Sequence, residues 1–508
     1  MSSVEKILPL EDLARRIKGR QEAGERVVLC HGVFDLLHIG HIRHFEQARS
    51  KGDILVVTLT PDRYVNKGVN RPAFPEKLRA EAIAALGMID FVGINQWATA
   101  VETLRLLQPD VYCKGSEYRK NQVDAKSHML PEVAEAQKLA IVMEYTEDIV
   151  SSSSTLINRY FSPFPSETDE WLEGFKQKHR AEAIIDKIEA LRSLKVLVVG
   201  EAIIDEYIYC AAMGKSTKDP VLACLYQETE SIAGGSLAVA NHVAGFCDKV
   251  RLVTCLGDRE RREGFVRSAL QSNIEPVLLT KNDSPTIHKR RIVDEYTQNK
   301  LLELYIMEDR PISGANAQEL NETITEGLEG WDVIIAIDFG HGLFTPSLIE
   351  TLCSGARFLA VNAQSNAGNR GFNPISRYRR ADYICLANHE INIEARMREG
   401  DLRQHVIDVA ERVDCPRFTV TMGREGSLHY EKGHGFVEVP ALATQVADRV
   451  GAGDSVLALT SLLVAQGTSW DITGFVGNVA GAQMVSVLGN REPVSKVSLS
   501  KHIISMLK

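Results

Sequence analysis

Short apolar runs rich in β-branched residues alternate with helix-like stretches along this chain, and the alternation starts twice. The first start rises from Arg26 into Val27-Val28-Leu29-Cys30, and a second such run at 54–58 follows a segment of helical character. Two strands joined through a helix lie parallel, so the pattern predicts a parallel sheet. Further strand candidates at 91–94, 111–113 and 141–144, preceded by a short amphipathic helix at 4–20, predict one Rossmann-like doubly wound α/β domain over residues 1–160. Ser162-Pro163-Phe164-Pro165 then breaks the pattern, and the charged stretch of helical periodicity after it predicts a linker helix within 161–193. At Lys195 the alternation restarts with Val196-Leu197-Val198-Val199-Gly200. Strand candidates at 333–337, 358–361, 383–386 and 418–421 predict a larger α/β domain over 194–508. No internal repeat relates the two halves.

A chain of 508 residues exceeds what one hydrophobic core serves, and two domains suit it. The formal net charge of −9 speaks against a nucleic-acid surface, which needs clustered Lys and Arg, while small anionic substrates need only local positive charge. Nine cysteines without a CxxC pair read as reduced core thiols. The N-terminal stretch is charged and no run of about 18 apolar residues occurs, so the expectation is a cytoplasmic protein with no membrane partner.

The most informative stretch is Cys30-His31-Gly32-Val33-Phe34-Asp35-Leu36-Leu37-His38-Ile39-Gly40-His41, placed where the first strand gives way to a helix. Two imidazoles three residues apart can both face a phosphate over a helix N-terminus, where backbone N–H groups and the helix dipole favour an anion. Charge builds on an α-phosphate during in-line attack by a second phosphate, and imidazole N–H donors stabilise it without a covalent intermediate. His-x-x-His by itself reads equally as two unrelated histidines at a helix start. A zinc site is a third reading, for which no further ligands stand nearby.

The whole stretch resembles the HxGH signature of the cytidylyltransferase-like group of nucleotidyltransferases, from about Arg26 to Tyr160. More specifically it is similar to the adenylyltransferase half of the bifunctional heptose kinase/adenylyltransferase family of ADP-heptose biosynthesis. Lys67-Gly68, Arg71-Pro72 with Arg79 eight residues after Arg71, and Lys114-Gly115 followed by Tyr118 repeat that family's spacing. The resemblance implies His38 and His41 as catalytic residues, with Gly32, Phe34, Lys67, Arg71, Arg79 and Lys114 at the nucleotide phosphates. Ser152, Ser153 and Ser154 occupy the place of the family's Ser-Thr-Thr segment. Cys30 and His31 stand where the family usually has threonine and asparagine, which removes a hydroxyl donor near the α-phosphate.

In the second half, Asp448-Arg449-Val450-Gly451-Ala452-Gly453-Asp454-Ser455 precedes an apolar helix-like run. Small residues before a helix let successive amides converge on an oxyanion, and a carboxylate at the helix start can take a proton from an attacking hydroxyl. A glycine-rich turn alone reads also as an ordinary helix start. No GxxxxGK[ST] loop occurs, which speaks against a P-loop kinase. The segment is similar to the GAGD signature of the ribokinase family, over nearly all of residues 195–500, and implies a ribokinase-like domain with a small β lid. By that resemblance Asp454 is the catalytic base and Gly451, Ala452 and Gly453 form the anion hole. Asp205 and the Gly234-Gly235 pair belong to the sugar side, with Asn241 one helical turn beyond Ala238, where the family has asparagine. Asn388, the loop from Thr421 through Gly423 to Gly426, and Asn478 belong to the nucleotide side. Segment 206–233 stands where family members carry a lid that often mediates dimerisation, implying a homodimer. Two more departures are Asn388-His389-Glu390-Ile391 near magnesium and Val361-Asn362-Ala363-Gln364.

The two resemblances together imply a bifunctional sugar-activating enzyme. It would phosphorylate a sugar or sugar phosphate with ATP and Mg2+ and transfer a nucleotidyl group to a sugar 1-phosphate, releasing pyrophosphate. In the heptose family the kinase comes first; here the order is reversed. Two alternatives stay open: a CTP-dependent transferase, and a degenerate kinase-like domain that binds sugar or nucleotide.

Overall fold

Where apolar runs are continuous rather than alternating, the strands are covered on both faces. The computed structural model describes residues 4–65, 71–115, 130–146, 163–397 and 400–507. Lys67, Tyr118 and the serines Ser152, Ser153 and Ser154 lie outside the described residues. The chain divides into two units, the first built essentially from residues up to Pro163 and the second from Phe164 onward.

In the first unit, five runs become β1 (Val27–Gly32), β2 (Ile54–Leu59), β3 (Phe91–Ile94), β4 (Val111–Gly115) and β5 (Val142–Thr146). They form one parallel sheet in the order β3-β2-β1-β4-β5. Successive side chains serve opposite layers. Val28 and Cys30 pack with Phe45, Ala80 and Ile83, which come from helices Ile39–Arg49 and Glu76–Ala84. Val27 and Leu29 pack with Leu10, Leu13 and Leu104, from helices Leu10–Glu22 and Val101–Leu107. The first helix starts at Leu10 rather than at 4, because Pro9, extended at φ −55° and ψ 148°, disfavours helix in the residue before it. From β1 the chain winds to β2 and β3 on one side, then returns to β4 and β5 on the other. The crevice between the C-terminal ends of β1 and β4 is therefore the switch point, where open α/β sheets bind ligands.

The second unit is centred on β6 (Lys195–Gly200), with β9 (Lys249–Arg259) and β10 (Ile274–Pro285) to one side. To the other lie β13 (Val333–Asp338), β14 (Leu359–Ala363), β15 (Tyr383–Ala387), β16 (Arg417–Thr421), β17 (Ser427–Glu431) and β18 (Gly435–Val439). All pair in parallel until β17 and β18, which add antiparallel. Its switch point is the gap between the ends of β6 and β13. Directly after β6 the chain leaves the sheet as β7 (Ala202–Lys215) and β8 (Leu222–Gly235), which join β11 (Ile287–Asp294) and β12 (Lys300–Ile306) in a four-stranded lid of order β12-β11-β7-β8. The lid thus takes half its strands from a region well beyond 206–233.

The expected linker helix is two helices, Ser166–Lys178 and Ala181–Ala190, and both belong to the second unit. Trp171 and Phe175 pack on Phe475 with ring centroids 6.3 and 4.5 Å away, and the His179 ring hydrogen-bonds the Asp471 carboxylate. An amphipathic helix reads the same in sequence whether its apolar stripe covers a neighbour or spans a gap. Among the described residues no helix is long and apolar enough to cross a membrane.

Candidate active sites

In the first unit, His38 caps the helix Ile39–Arg49: its Nδ1 accepts the Gly40 N–H at 3.1 Å. That bond places the ring proton on Nε2, and partial burial holds the imidazole below its usual pKa, so it is neutral at pH 7. Nε2–H is then a donor with no partner among the described residues. His41 stacks on His38 at a centroid distance of 4.0 Å, and Phe34 meets the His41 ring edge-on at 5.3 Å. Phe34 itself sits at φ 46°, a conformation few non-glycine residues adopt and one that gathers at functional sites. Gly32, at the end of β1, lies under the Phe34 ring.

The basic residues expected at the phosphates are disposed differently. Arg79 is fully buried and donates to the carbonyls of Phe74 at 2.9 Å, Thr60 at 3.0 Å and Val33, and to Asp62 at 2.6 Å. Its geometry braces the turn behind the histidines instead of offering a guanidinium to a phosphate. Arg71 is buried against Asp35 at 3.1 Å, and Asp35 in turn accepts the Ala73 N–H at 2.5 Å. Lys114, at the end of β4, donates to the His31 carbonyl at 3.1 Å and pairs with Glu132 at 3.2 Å. His31 is buried between the hydroxyls of Thr58 at 2.9 Å and Thr60 at 3.3 Å; burial, then the charge of Lys114, lowers its pKa to about 3. The structure brings Gly32, Phe34, His38 and His41 together at the helix start, with Arg71, Arg79 and Lys114 in the supporting wall.

In the second unit, Gly451 is the cap of helix Ala452–Ala465 and needs φ 87°, which glycine adopts without penalty. Nothing stands within 4 Å of where a Cβ on Gly453 would be, so the Gly451-Ala452-Gly453 turn stays open toward a ligand. Asp454, on the first turn of that helix, is buried; burial, then the nearby charge of Asp205, pushes its carboxyl up to about 7. A group titrating there accepts a proton from a hydroxyl far better than an ordinary aspartate does. Asp205 projects from β7 and pairs with Arg291 of β11 at 2.5 Å. Gly234 makes room for it: a Cβ there would lie 2.1 Å from Asp205 Oδ2. Gly235 follows at the start of helix Ser236–Ala244. Asn241, expected on the sugar, donates to the Ala269 carbonyl at 2.8 Å and accepts the Gln271 N–H at 3.0 Å, so its amide ties two backbone segments together.

The nucleotide-side residues gather at the neighbouring strand ends. Asn388 follows β15, and Thr421 closes β16 next to it, ahead of the turn through Gly423 and Gly426. Gly426 packs on the Val439 carbonyl, 2.1 Å from where its Cβ would be, while Asn478 Nδ2 donates to Val439 O at 3.1 Å and Pro440 O at 3.0 Å. Glu390 accepts the amides of Ser365 at 2.9 Å and Ala387 at 2.8 Å.

Sequence reading missed several groups at this switch point. Glu201 accepts the N–H groups of Phe339 at 3.1 Å and His341 at 3.0 Å, bridging the ends of β6 and β13; burial, then Asp338, pushes its carboxyl up to about 7. His341 is buried with neither ring nitrogen bonded among the described residues. Lys289, beside Asp205 in the β7–β11 register, is nearly buried and lies over the rings of Tyr305 at 5.1 Å and Phe339 at 5.4 Å. The available signal was Lys289 and Arg291 at a spacing of two inside a strand, which puts two cations on one face.

A family model described as cytidylyltransferase-like matches residues 29–159, and one described as pfkB family carbohydrate kinase matches residues 350–497. The bifunctional protein HldE of Bradyrhizobium diazoefficiens is 28% identical over 314 residues, covering 61% of this chain and 63% of the relative. HldE of Methylobacillus flagellatus is 40% identical over 124 residues, 24% of this chain and 25% of that one. This chain thus spans less than two thirds of the length of the curated relatives it matches. The crystal structure of phosphofructokinase-2 from Escherichia coli in complex with potassium superposes with a TM-score of 0.51 at 15% identity, over 62% of this chain and all of that one. The tetrameric inhibited form of the same enzyme gives 0.50 at 14% identity, with the same coverage. The protein therefore carries two α/β folds in one chain, a nucleotidyltransferase-like unit followed by a ribokinase/PfkB-like one.

Proposed function

We propose that this chain is a bifunctional sugar-activating enzyme, a sugar 1-phosphate adenylyltransferase fused to an ATP-dependent sugar or sugar-phosphate kinase, of the ADP-heptose type. The observation that carries the reading is the pair of helix starts, one crowned by the stacked His38 and His41 and the other by the buried Asp454. In the first unit, an anionic oxygen of the sugar phosphate attacks the α-phosphate of ATP, pyrophosphate leaves, and His38 Nε2–H donates to the charge that builds between them. In the second, Asp454 takes the proton of the acceptor hydroxyl as that oxygen attacks the γ-phosphate, and the amides of Gly451, Ala452 and Gly453 hold the charge as ADP leaves. Arg291 fixes Asp205 as the acceptor's hydrogen-bond partner. Similarity to the HldE proteins supports both halves of the reading.

Magnesium fits this reading as an ion carried on the nucleotide phosphates, where it would neutralise charge. Glu390 is committed to backbone amides, and among the described residues no cluster of metal-ligating side chains gathers. A cytoplasmic location agrees with the same reading. A second copy of the chain is the partner we assign to the lid, whose edge strands expose Leu225 and Tyr226 on β8 and Leu302 and Leu304 on β12.

The test supplies the full-length protein with ATP or CTP and a panel of heptose and hexose phosphates. Pyrophosphate release with ATP and a sugar 1-phosphate, and ADP formation with a sugar or sugar phosphate, are the expected results. Strict CTP dependence removes the adenylyl reading, and failure to consume ATP across the panel removes the kinase reading in favour of a binding domain. Sedimentation of wild type against Leu225→Glu reads the lid pairing.

A further inference from the structure

We infer that Asn490 is a positioning residue for Asp454 and that His242 in turn holds Asn490, a buried relay running from the Val494 backbone to the base. The inference rests on the kinase reading.

The start of the relay is fixed. His242 lies inside helix Ser236–Ala244 at 1% exposure, and its Nδ1 accepts the Val494 N–H at 3.1 Å. The ring proton is therefore on Nε2, and burial lowers the pKa to about 4, so the imidazole is neutral. Asn490 lies against it and against Asp454. Its amide fills the space beside Gly451: a Cβ on that glycine would come 1.8 Å from Asn490 Oδ1. The glycine that opens the anion hole is thus also the one that admits Asn490.

His242 Nε2 and both polar atoms of the Asn490 amide are buried, yet none completes a hydrogen bond of normal geometry among the described residues. Matching donors to acceptors leaves one complementary arrangement. His242 Nε2–H points to Asn490 Oδ1, and the Asn490 NH2 points to the Asp454 carboxylate. Bonds of this kind are often loose before substrate arrives and tighten in the reacting complex. Both residues also line a cavity of about 460 Å³, walled further by Ala238, Asn241, Gln271 and Arg491.

Asp454 needs such a donor. Asp205 on β7 and Glu390 on the helix Asn388–Ala395 both disfavour its charge, as does burial, and the Cys385 thiol of β15 also faces it. Only Lys289 on β11 and Asn490 favour the ionised form among these neighbours.

The experiment is a pH profile of ADP formation by the full-length protein. In Asn490→Ala the acidic limb of kcat should move up by about one pH unit, so that kcat at pH 7 falls about fivefold, approaches a tenfold loss at about pH 6 and largely recovers by pH 9, with KM for ATP unchanged. Asn490→Asp keeps the volume but replaces the donor by a carboxylate, and should move the limb further. His242→Ala should move it less, and His242→Gln should restore it. Loss of kcat equal at every pH overturns the relay. A second readout needs no turnover: 13C-carboxyl NMR of the full chain, with Asp454 assigned through Asp454→Asn. An upward shift of its titration in Asn490→Ala supports the relay, and an unmoved titration overturns it. If wild type forms no ADP with any acceptor while that shift is present, the kinase reading fails and the relay stands.

Discussion

The two helix starts meet phosphate with different tools. At Ile39–Arg49 the tools are the stacked imidazoles of His38 and His41, and the nearest acid of the signature, Asp35, is buried in an ion pair with Arg71 at 3.1 Å. At Ala452–Ala465 the tool is a carboxyl held near neutrality at about 7. The difference follows from the nucleophile each site would serve. A sugar phosphate is already an anion at pH 7 and needs only donors for the charge that builds in the transition state. A sugar hydroxyl must lose a proton as it attacks, and that calls for a base. The chain thus carries one site built around donors and one built around an acceptor.

The largest expected effect breaks the second site alone. Asp454→Asn should lower ADP formation by about 10³-fold, within the usual range for a general base, while pyrophosphate release stays at the wild-type rate. A loss under tenfold would show that Asp454 is no base. Next, His38→Ala should lower pyrophosphate release about 10²-fold, the cost of one donor to developing charge, and leave ADP formation untouched. A comparable loss in both reactions would show that the two sites are not separate. Smaller again is Gly234→Ala. Its new methyl would lie 2.1 Å from Asp205 Oδ2, so the carboxylate must turn away, and steady-state kinetics should show KM for the acceptor raised about tenfold with kcat less affected.

The contrast also marks what the sequence disclosed. The strand-to-helix turns were legible because glycine, histidine and aspartate at fixed spacing leave few alternatives, and the parallel sheets followed from apolar runs between helices. Arg79 was not legible: a phosphate-binding arginine and one bonded to the carbonyls of Val33, Thr60 and Phe74 look identical in a string of letters. The lid strands β11 and β12 lie some fifty residues beyond β8, and the pairing of Lys289 with Asp205 in one register depends on that closure. Asn490 carried no signal, because its place against Gly451 is set by a turn between helices.

The smallest effect sharpens the comparison through stability. Asp454 has a raised pKa of about 7 when folded and about 3.9 in an unfolded chain, so the folded state holds its proton more tightly. Between those values stability falls as pH rises, because the fold must then either carry a buried charge or keep a proton that solution would remove. Asparagine has no such proton. Asp454→Asn should therefore raise the melting temperature of the second unit by a few degrees, on the order of 3 °C, at pH 8 and leave it nearly unchanged near pH 4. Glu201, also pushed up to about 7, titrates in both proteins and cancels in the difference. His38 carries the opposite sign: its pKa is lowered by burial, so the fold loses stability as pH drops through the normal histidine range. His38→Ala should cost the first unit the Gly40 cap bond at pH 8, on the order of 1 kcal/mol, and lose less against wild type at acid pH, where the native histidine must be protonated in a buried place. Calorimetry across pH 4 to 8 should show stability relative to wild type rising toward alkaline pH for Asp454→Asn and toward acid pH for His38→Ala, and trends of the same sign would mean that the acceptor and donor sites are not electrostatic opposites.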